Sequence, residues 1–236
     1  MKNMAGFTLQ NKNMGGCMGI ENCHFFCSWS GGKDSCLALY RSLKAGGKPR
    51  LLLTMLTENG ERSRSHGLCI DLVRKQAAAL KIPLVTRSAS WDVYENVFIS
   101  ALDGFAADGI GFGVFGDIDI DDHRRWVEKV CRRTGIQPCF PLWKEKRKEL
   151  LLEFINEGFK ATIVAVRDGV LDRSFLGRVL DEDTVKEIEE AGVDASGEEG
   201  EFHTVVTDGP VFSFRIDLKP GEQYFYEGCW FQDVSV

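Results

Sequence analysis

His24-Phe25-Phe26-Cys27-Ser28-Trp29-Ser30-Gly31-Gly32-Lys33-Asp34-Ser35-Cys36-Leu37-Ala38-Leu39-Tyr40 is the stretch whose reading decides the fold. His24–Trp29 is an apolar run of strand length that ends in Ser30-Gly31-Gly32. Immediately after it, Cys36, Leu39, Tyr40 and Leu43 recur at i, i+3, i+4 and i+7, one face of a helix. Gly46-Gly47 stops that helix, with Pro49 beyond. The unit reads strand, glycine turn, helix.

The same alternation runs outward along the chain. Arg50–Leu56 is a second strand, followed by Ile70, Val73, Ala77 and Leu80 at helical spacing. Pro83–Thr86 is a short strand, and Val93, Val97 and Ala101 stripe the next helix. Gly111–Phe115 is a strand; Trp126, Val127 and Val130 mark a helix; Leu150, Leu151, Phe154 and Ile155 mark another, closed by Gly158. Ala161–Val166 is a β-branched strand. Strands alternating with helices of this length predict an α/β fold: a doubly wound, mostly parallel sheet buried on both faces. After Asp168 the pattern changes. Asp181–Ala191 is a short charged helix, and Phe202–Val206, Val211–Leu218 and Gln223–Phe231 read as strands. The expected organisation is a flexible extension over 1–22, an α/β domain over 23–168 and a small α+β element over 169–236.

Composition narrows the function classes. The 236 residues are 44% hydrophobic, enough for a sizeable core. Twenty-nine basic residues against 35 acidic ones leave a net charge of −6, a poor balance for gripping long nucleic acid. No apolar run approaches the ~20 residues that span a bilayer. Residues 1–22 lack a basic stretch followed by an apolar one, so no export signal is read there and a cytoplasmic location is expected. The eight cysteines (17, 23, 27, 36, 69, 131, 139 and 229) are then expected as reduced thiols; no CxxC pair makes a zinc site.

The glycine turn carries the most chemistry. Gly31 and Gly32 lack Cβ, so their backbone approaches an anion closely. The following helix offers free N–H groups and the positive end of its dipole. Ser30 and Ser35 add hydroxyls and Lys33 adds a charge. Asp34, an acid where an anion is expected, makes sense as the holder of a Mg²⁺ that bridges phosphates. The turn is neither a Walker A loop nor GxGxxG. Late in the chain, Gly197-Glu198-Glu199-Gly200-Glu201-Phe202-His203-Thr204 packs three carboxylates and a histidine ahead of an apolar strand; on residue types alone it reads equally as a solvated turn or as a site.

Ser30–Ser35 resembles the SGGxDS signature of the PP-loop ATP pyrophosphatases. Combined with Gly197–Thr204 it is similar to the diphthine–ammonia ligase (diphthamide synthetase) family among them. Ser63–Gly67, Gly116-Asp117-Ile118 with His123–Glu128, Pro141-Leu142-Trp143 and Leu171–Arg178 also look like that family. The resemblance covers about residues 23–216, leaving out the N-terminal extension and the aromatic ribbon from Gln223. It implies a fold like the adenine nucleotide alpha hydrolases. It implies an ATP-dependent, AMP-forming ligase that adenylates a carboxylate and passes it to ammonia. ATP and Mg²⁺ would be the cofactors; ammonia and a carboxylate acceptor, such as diphthine on a translation elongation factor, the partners, with a homodimer left open. By the same resemblance, Ser30, Gly31, Gly32, Lys33, Asp34 and Ser35 hold the phosphates. Thr54 and Met55 meet adenine, and Gly113 and Gly116 pack on the nucleotide. Lys33, Glu198, Glu201 and His203 serve the chemistry. His66, His123 and the acidic run at Asp117, Asp119, Asp121 and Asp122 are read first as structural, and Asp172 with Arg178 either as shaping the acceptor site or as an exposed ion pair. Two other classes share the ATP site: sulfur transfer to tRNA, for which Cys131 and Cys139 are the candidate thiols, and a nucleotide-binding module without turnover.

Overall fold

The computed structural model describes Cys17 and residues 19–236. Most of the expected extension lies outside the described residues. Its described end is packed: Ile20 is 1% exposed, and the Asn22 amide donates to the Gly46 carbonyl.

Five parallel strands form the main sheet: β1 (His24–Ser28), β2 (Lys48–Leu56), β3 (Leu84–Ser88), β4 (Phe112–Val114) and β5 (Gln137–Cys139). Their order is β3-β2-β1-β4-β5, all pairings parallel. The chain winds outward from β1 in both directions, so the sheet is doubly wound as expected. Alternation along β1 sends Phe25 and Cys27 to one face and Phe26 to the other. On the first face lie α1 (Lys33–Lys44), α2 (Ile70–Leu80) and α5 (Arg147–Asn156); on the second lie α3 (Tyr94–Ala107) and α4 (Asp121–Thr134). β5 went unread in the sequence because it is three residues long and contains Pro138, which an edge strand tolerates.

A second sheet, with order β7-β6-β9-β8, is antiparallel: β6 (Lys160–Arg167), β7 (Phe202–Asp208), β8 (Lys219–Tyr226) and β9 (Cys229–Ser235). The strand read at Ala161–Val166 thus belongs here rather than to the parallel sheet. An interior strand of either kind is a continuous apolar run, so its pattern does not name its sheet. Ile163, Val205 and Val206 of this sheet join the apolar layer of α1 and α2.

Two other sequence expectations are corrected. Val211–Leu218 is irregular: Ser213 binds the Ala79 carbonyl at the end of α2 through both its amide and its hydroxyl. Gln223–Phe231 is not one strand but a hairpin, because Glu227 (φ 46°) and Gly228 (φ 81°) both take left-handed backbone between Tyr226 and Cys229. The charged helix is α6 (Glu182–Glu190), capped by Asp181, whose carboxylate accepts the Thr184 amide at 2.9 Å. The expectation of eight reduced thiols is also corrected: a disulfide joins Cys17 to Cys139, and Cys23, Cys27, Cys36, Cys69, Cys131 and Cys229 are free. Among the described residues no helix is long and apolar enough to cross a membrane.

Candidate active site

In a doubly wound sheet the crevice opens beyond the strand ends where the winding reverses, here between β1 and β4. Ser30–Gly32 lies in that crevice and leads into α1. Gly31 takes φ +83°, a conformation that only glycine adopts freely. Gly32 precedes α1 in extended backbone with no side-chain cap. The two serines close a small ring: the Gly32 amide donates to Ser30 Oγ (3.3 Å), Ser30 and Ser35 hydroxyls meet at 3.0 Å, and Ser35 Oγ donates to the Gly32 carbonyl (3.1 Å).

Strand β7 of the other sheet pins this turn. Thr204 Oγ1 accepts the Lys33 amide at 3.2 Å, and the Val206 amide donates to the Gly31 carbonyl at 2.9 Å. Gln76 of α2 completes the joint. It is fully buried, accepts from Trp29 Nε1 (3.0 Å), and donates to the Gly31 and Val206 carbonyls (2.9 and 2.8 Å). The two signature strings, about 170 residues apart, are therefore one hydrogen-bonded unit.

Above the turn is a cavity of about 520 Å³. Ser30, Asp34 and Ser35 line its floor, Thr54 and Met55 one wall, Gly116 and Asp117 another; Glu198 and His66 come from loops around it and His203 from the start of β7. A Cβ on Gly116 would sit 2.8 Å from the Asp34 carbonyl carbon and the Ser35 amide nitrogen, so a glycine lets the loop after β4 lie directly against the start of α1. Lys33 points away from the open cavity. Its Nζ binds both Asp34 carboxylate oxygens (3.0 and 2.7 Å) and lies 4.0 Å from Glu198.

Some expected residues stand elsewhere. Gly113 does not line the cavity; a Cβ there would strike the Phe26 ring at 2.7 Å, so it serves the close packing of β4. Glu201 is 9% exposed and turns inward, accepting the Glu199 amide at 2.9 Å. Asp172 caps a short 3-10 turn over Arg173–Phe175, and Arg178 forks onto Glu187 rather than Asp172. Of the acidic run, Asp117 faces the cavity beside His123, 3.5 Å away, and Asp119 binds Arg147. Of the candidate sulfur-transfer thiols, Cys139 is in the disulfide, and burial between α3 and α4 pushes the Cys131 thiol up to about 12. Neither offers a ready thiolate.

His66, given a structural reading in the sequence, proves central. Its ring stacks on His203 with centroids 4.6 Å apart and lies so close over Gly32 that a Cβ there would meet it at 2.3 Å. The Thr204 carbonyl, 2.9 Å from His66 Nδ1, can only accept, which puts the proton on Nδ1 and leaves Nε2 as an acceptor. Burial, with the Lys33 charge nearby, pushes His66 down to about 4; burial and the neighbouring His66 and Lys33 push His203 down to about 3. Both imidazoles are neutral at pH 7. The signal in the sequence was the Ser63–Gly67 string, which resembles the family but assigns His66 no role.

Glu198 moves the other way. Burial and the Asp34 charge, only partly offset by Lys33, push its carboxyl up to about 7. The linkage sign follows. Below pH 4.5 the group is protonated folded or unfolded; between 4.5 and 7 only the unfolded state ionises, so stability falls as pH rises through this window and the full penalty persists above it. Glu198→Gln removes the penalty. Its stability relative to the parent should improve by about 2–3 kcal/mol from pH 4 to pH 8. Urea unfolding of both proteins at the two pH values measures this, and the histidine contributions cancel in the difference. A difference that stays flat with pH refutes the assignment.

A cavity over the Ser30–Ser35 turn, in a doubly wound α/β domain whose turn is locked to the strand bearing His203 and Thr204, is the arrangement expected of the PP-loop class that the turn resembles. Comparison with known proteins gives the family. Residues 24–138 match the model of the diphthamide synthase N-terminal domain and residues 146–235 that of the diphthamide synthase C-terminal domain. The chain belongs to the diphthamide synthase family, and it is an ATP-dependent ligase. A human protein named diphthine–ammonia ligase is 27% identical over 240 residues, covering 87% of this chain and 86% of that one. A protein of the same name from Danio rerio is 27% identical over 87% of this chain and 90% of its own length, and one from Schizosaccharomyces pombe is 26% identical over 82% of this chain and 36% of its own.

Proposed function

We propose that this enzyme adenylates a carboxylate of the diphthine type and transfers the acyl group to ammonia, releasing AMP and pyrophosphate. The observation that carries the reading is the convergence of the Ser30–Ser35 turn and Glu198 on one cavity. A carboxylate is a poor electrophile. Attack of its oxygen on the α-phosphate of ATP breaks the α–β bond, giving an acyl adenylate and pyrophosphate. Ammonia then adds to the acyl carbon, and AMP leaves.

The amides at the start of α1 and the Ser30 and Ser35 hydroxyls suit a departing pyrophosphate, and Lys33, once drawn off Asp34, adds positive charge. One carboxylate, Asp34, with two hydroxyls beside it matches how Mg²⁺ accompanies a nucleotide, with phosphates and water completing its shell. When bound, the ion would neutralise the charge growing on the leaving group. The end of β2, at Thr54 and Met55, is where the adenine belongs. Glu198, with its raised pKa, is poised to take a proton from ammonium near neutral pH. Neutral His66 and His203 can accept or donate hydrogen bonds there without repelling a cation. Thr204, quoted in the second signature string but given no role of its own there, acts through the turn it holds.

The test is to supply ATP, Mg²⁺, ammonium and a diphthine-bearing elongation factor and to identify the products. AMP, pyrophosphate and an amide are expected in equal amounts. ADP with orthophosphate, or no amide, overturns the proposal.

A further inference from the structure

Arg147 opens α5, outside both signature strings, and does not line the cavity. It nevertheless ties together two of the cavity's walls. Its Nε and Nη2 donate to the two carboxylate oxygens of Asp119 at 2.7 and 2.8 Å, a planar fork on a planar carboxylate. Its Nη1 donates to Asp194 at 2.6 Å and lies 3.8 Å from Glu199. Asp119 sits in the connection from β4 to α4, three residues beyond Gly116 and two beyond Asp117. Asp194 sits in the connection from α6 to β7 and anchors the turn before Glu198 by accepting both the amide (2.9 Å) and the hydroxyl (2.8 Å) of Ser196. One guanidinium thus joins a loop of the parallel sheet to a loop of the antiparallel sheet.

The chain beyond Glu198 is held by the Glu199 amide on Glu201 (2.9 Å) and by Arg167 on the Glu199 carbonyl, while the chain before it hangs on Asp194, which also accepts the Gly197 amide on its carbonyl (3.0 Å). The Glu198 carboxylate reaches Lys33 only at 4.0 Å. Arg147, Asp119 and Asp194 are each roughly a quarter to a third exposed, where a single ion pair contributes little. A bidentate fork shared between two acids is the geometry in which such a pair does hold position. Lysine keeps the charge and can pair with one of the two acids at a time, but without a fork it cannot span both carboxylates in one plane.

We infer that Arg147 is a positioning residue: by clamping Asp119 and Asp194 it sets Glu198 opposite the phosphate turn for the ligation step. The inference rests on the proposed reaction in assigning a task to Glu198; the clamp itself does not.

Two readouts separate these. Amide hydrogen exchange of the nucleotide-free protein reports the clamp. In Arg147→Met, residues 195–200 should lose protection by about tenfold or more. Steady-state kinetics report its use. Arg147→Met should lower kcat for AMP formation by about tenfold or more while leaving KM for ATP within about threefold, since the phosphate turn is held by Thr204 and Gln76. Arg147→Lys should recover part of kcat. Should Arg147→Met fail to fold, Asp119→Ala, which removes the anchor of the fork and leaves the Ser196 bonds of Asp194 in place, takes its place in both measurements. Unchanged exchange overturns the clamp. Looser exchange with unchanged kcat, or KM for ATP rising in step with the fall in kcat and no recovery with lysine, overturns the positioning role. A parent enzyme that forms no AMP refutes the proposed reaction, and the exchange data still decide whether the clamp exists.

Discussion

Lys33→Ala should reduce AMP-forming turnover by about 10²–10³-fold, the loss typical when a group that stabilises developing charge is removed, since Lys33, once drawn off Asp34, is the cation proposed to meet the leaving group. Lys33 lies at the first position of α1, 6% exposed, with its ammonium shared between Asp34 and, more distantly, Glu198. Its removal acts twice. On the proposed reaction the departing pyrophosphate loses a cation, and two carboxylates beside the proposed nucleotide site lose the charge that separates them, so ATP would meet more negative potential. The fold should survive. The Asp34 side chain is 30% exposed and can be hydrated, Glu198 can stay protonated, and the turn is held by Thr204, Val206 and Gln76 through backbone groups that the substitution does not touch. Asp34→Ala should also lose turnover, with a raised requirement for Mg²⁺. Quantifying AMP alongside far-ultraviolet circular dichroism separates the chemistry from unfolding. Undiminished turnover in both variants would remove the phosphate-site reading altogether.

Gln76→Leu should destabilise the protein by about 3 kcal/mol or more. The substitution nearly conserves volume, so packing is not the issue. The side chain satisfies the Trp29 indole N–H, the Gly31 carbonyl and the Val206 carbonyl, all in a region closed to water, and each buried group left without a partner costs about 1–3 kcal/mol. Gly31 keeps one partner, the Val206 amide, so its share is the smallest. Because the same amide joins the phosphate turn to β7, nucleotide affinity should fall as well. Urea denaturation gives the first number and equilibrium dialysis with ATP the second. A loss under about 1 kcal/mol would mean that the three groups find other partners and that Gln76 is no keystone.

Much of the parallel domain was legible in the sequence because each of its elements announces itself locally. The Cys36–Leu43 stripe and the glycines on either side of it specify α1 and its ends without reference to anything distant. Gly31 and Gly32 declare a turn that needs left-handed backbone and close approach, and the turn is there. The second sheet was harder. β6 carries the same apolar run whichever sheet receives it, and the hairpin turn at Glu227-Gly228, a short polar break between Tyr224–Tyr226 and Trp230-Phe231, was read through as part of one strand. Within the site, Ser30, Asp34, Ser35, Thr54, Met55, Gly116, Glu198 and His203 were named from the chain and line the cavity. Lys33, Glu201 and Gly113 were named with them and face elsewhere, since a motif states which residue types occur and not which way each side chain turns.

What the sequence by itself determined is the local chemistry: a glycine turn able to receive phosphate, a string of carboxylates ahead of a strand, and the period that makes helices and strands alternate. These depend on neighbours within about one or two turns of chain, and spacing records them. What only the tertiary structure decided is which of these pieces meet. Thr204 holds Lys33 across 171 residues, Gln76 ties Gly31 to Val206, His66 stacks on His203, and Arg147 spans Asp119 and Asp194. Each is a hydrogen bond or ring contact between segments that no periodicity connects. Their environment, not their identity, leaves two histidines neutral and raises one glutamate toward neutral pH, because burial and neighbouring charge exist only once the chain has folded.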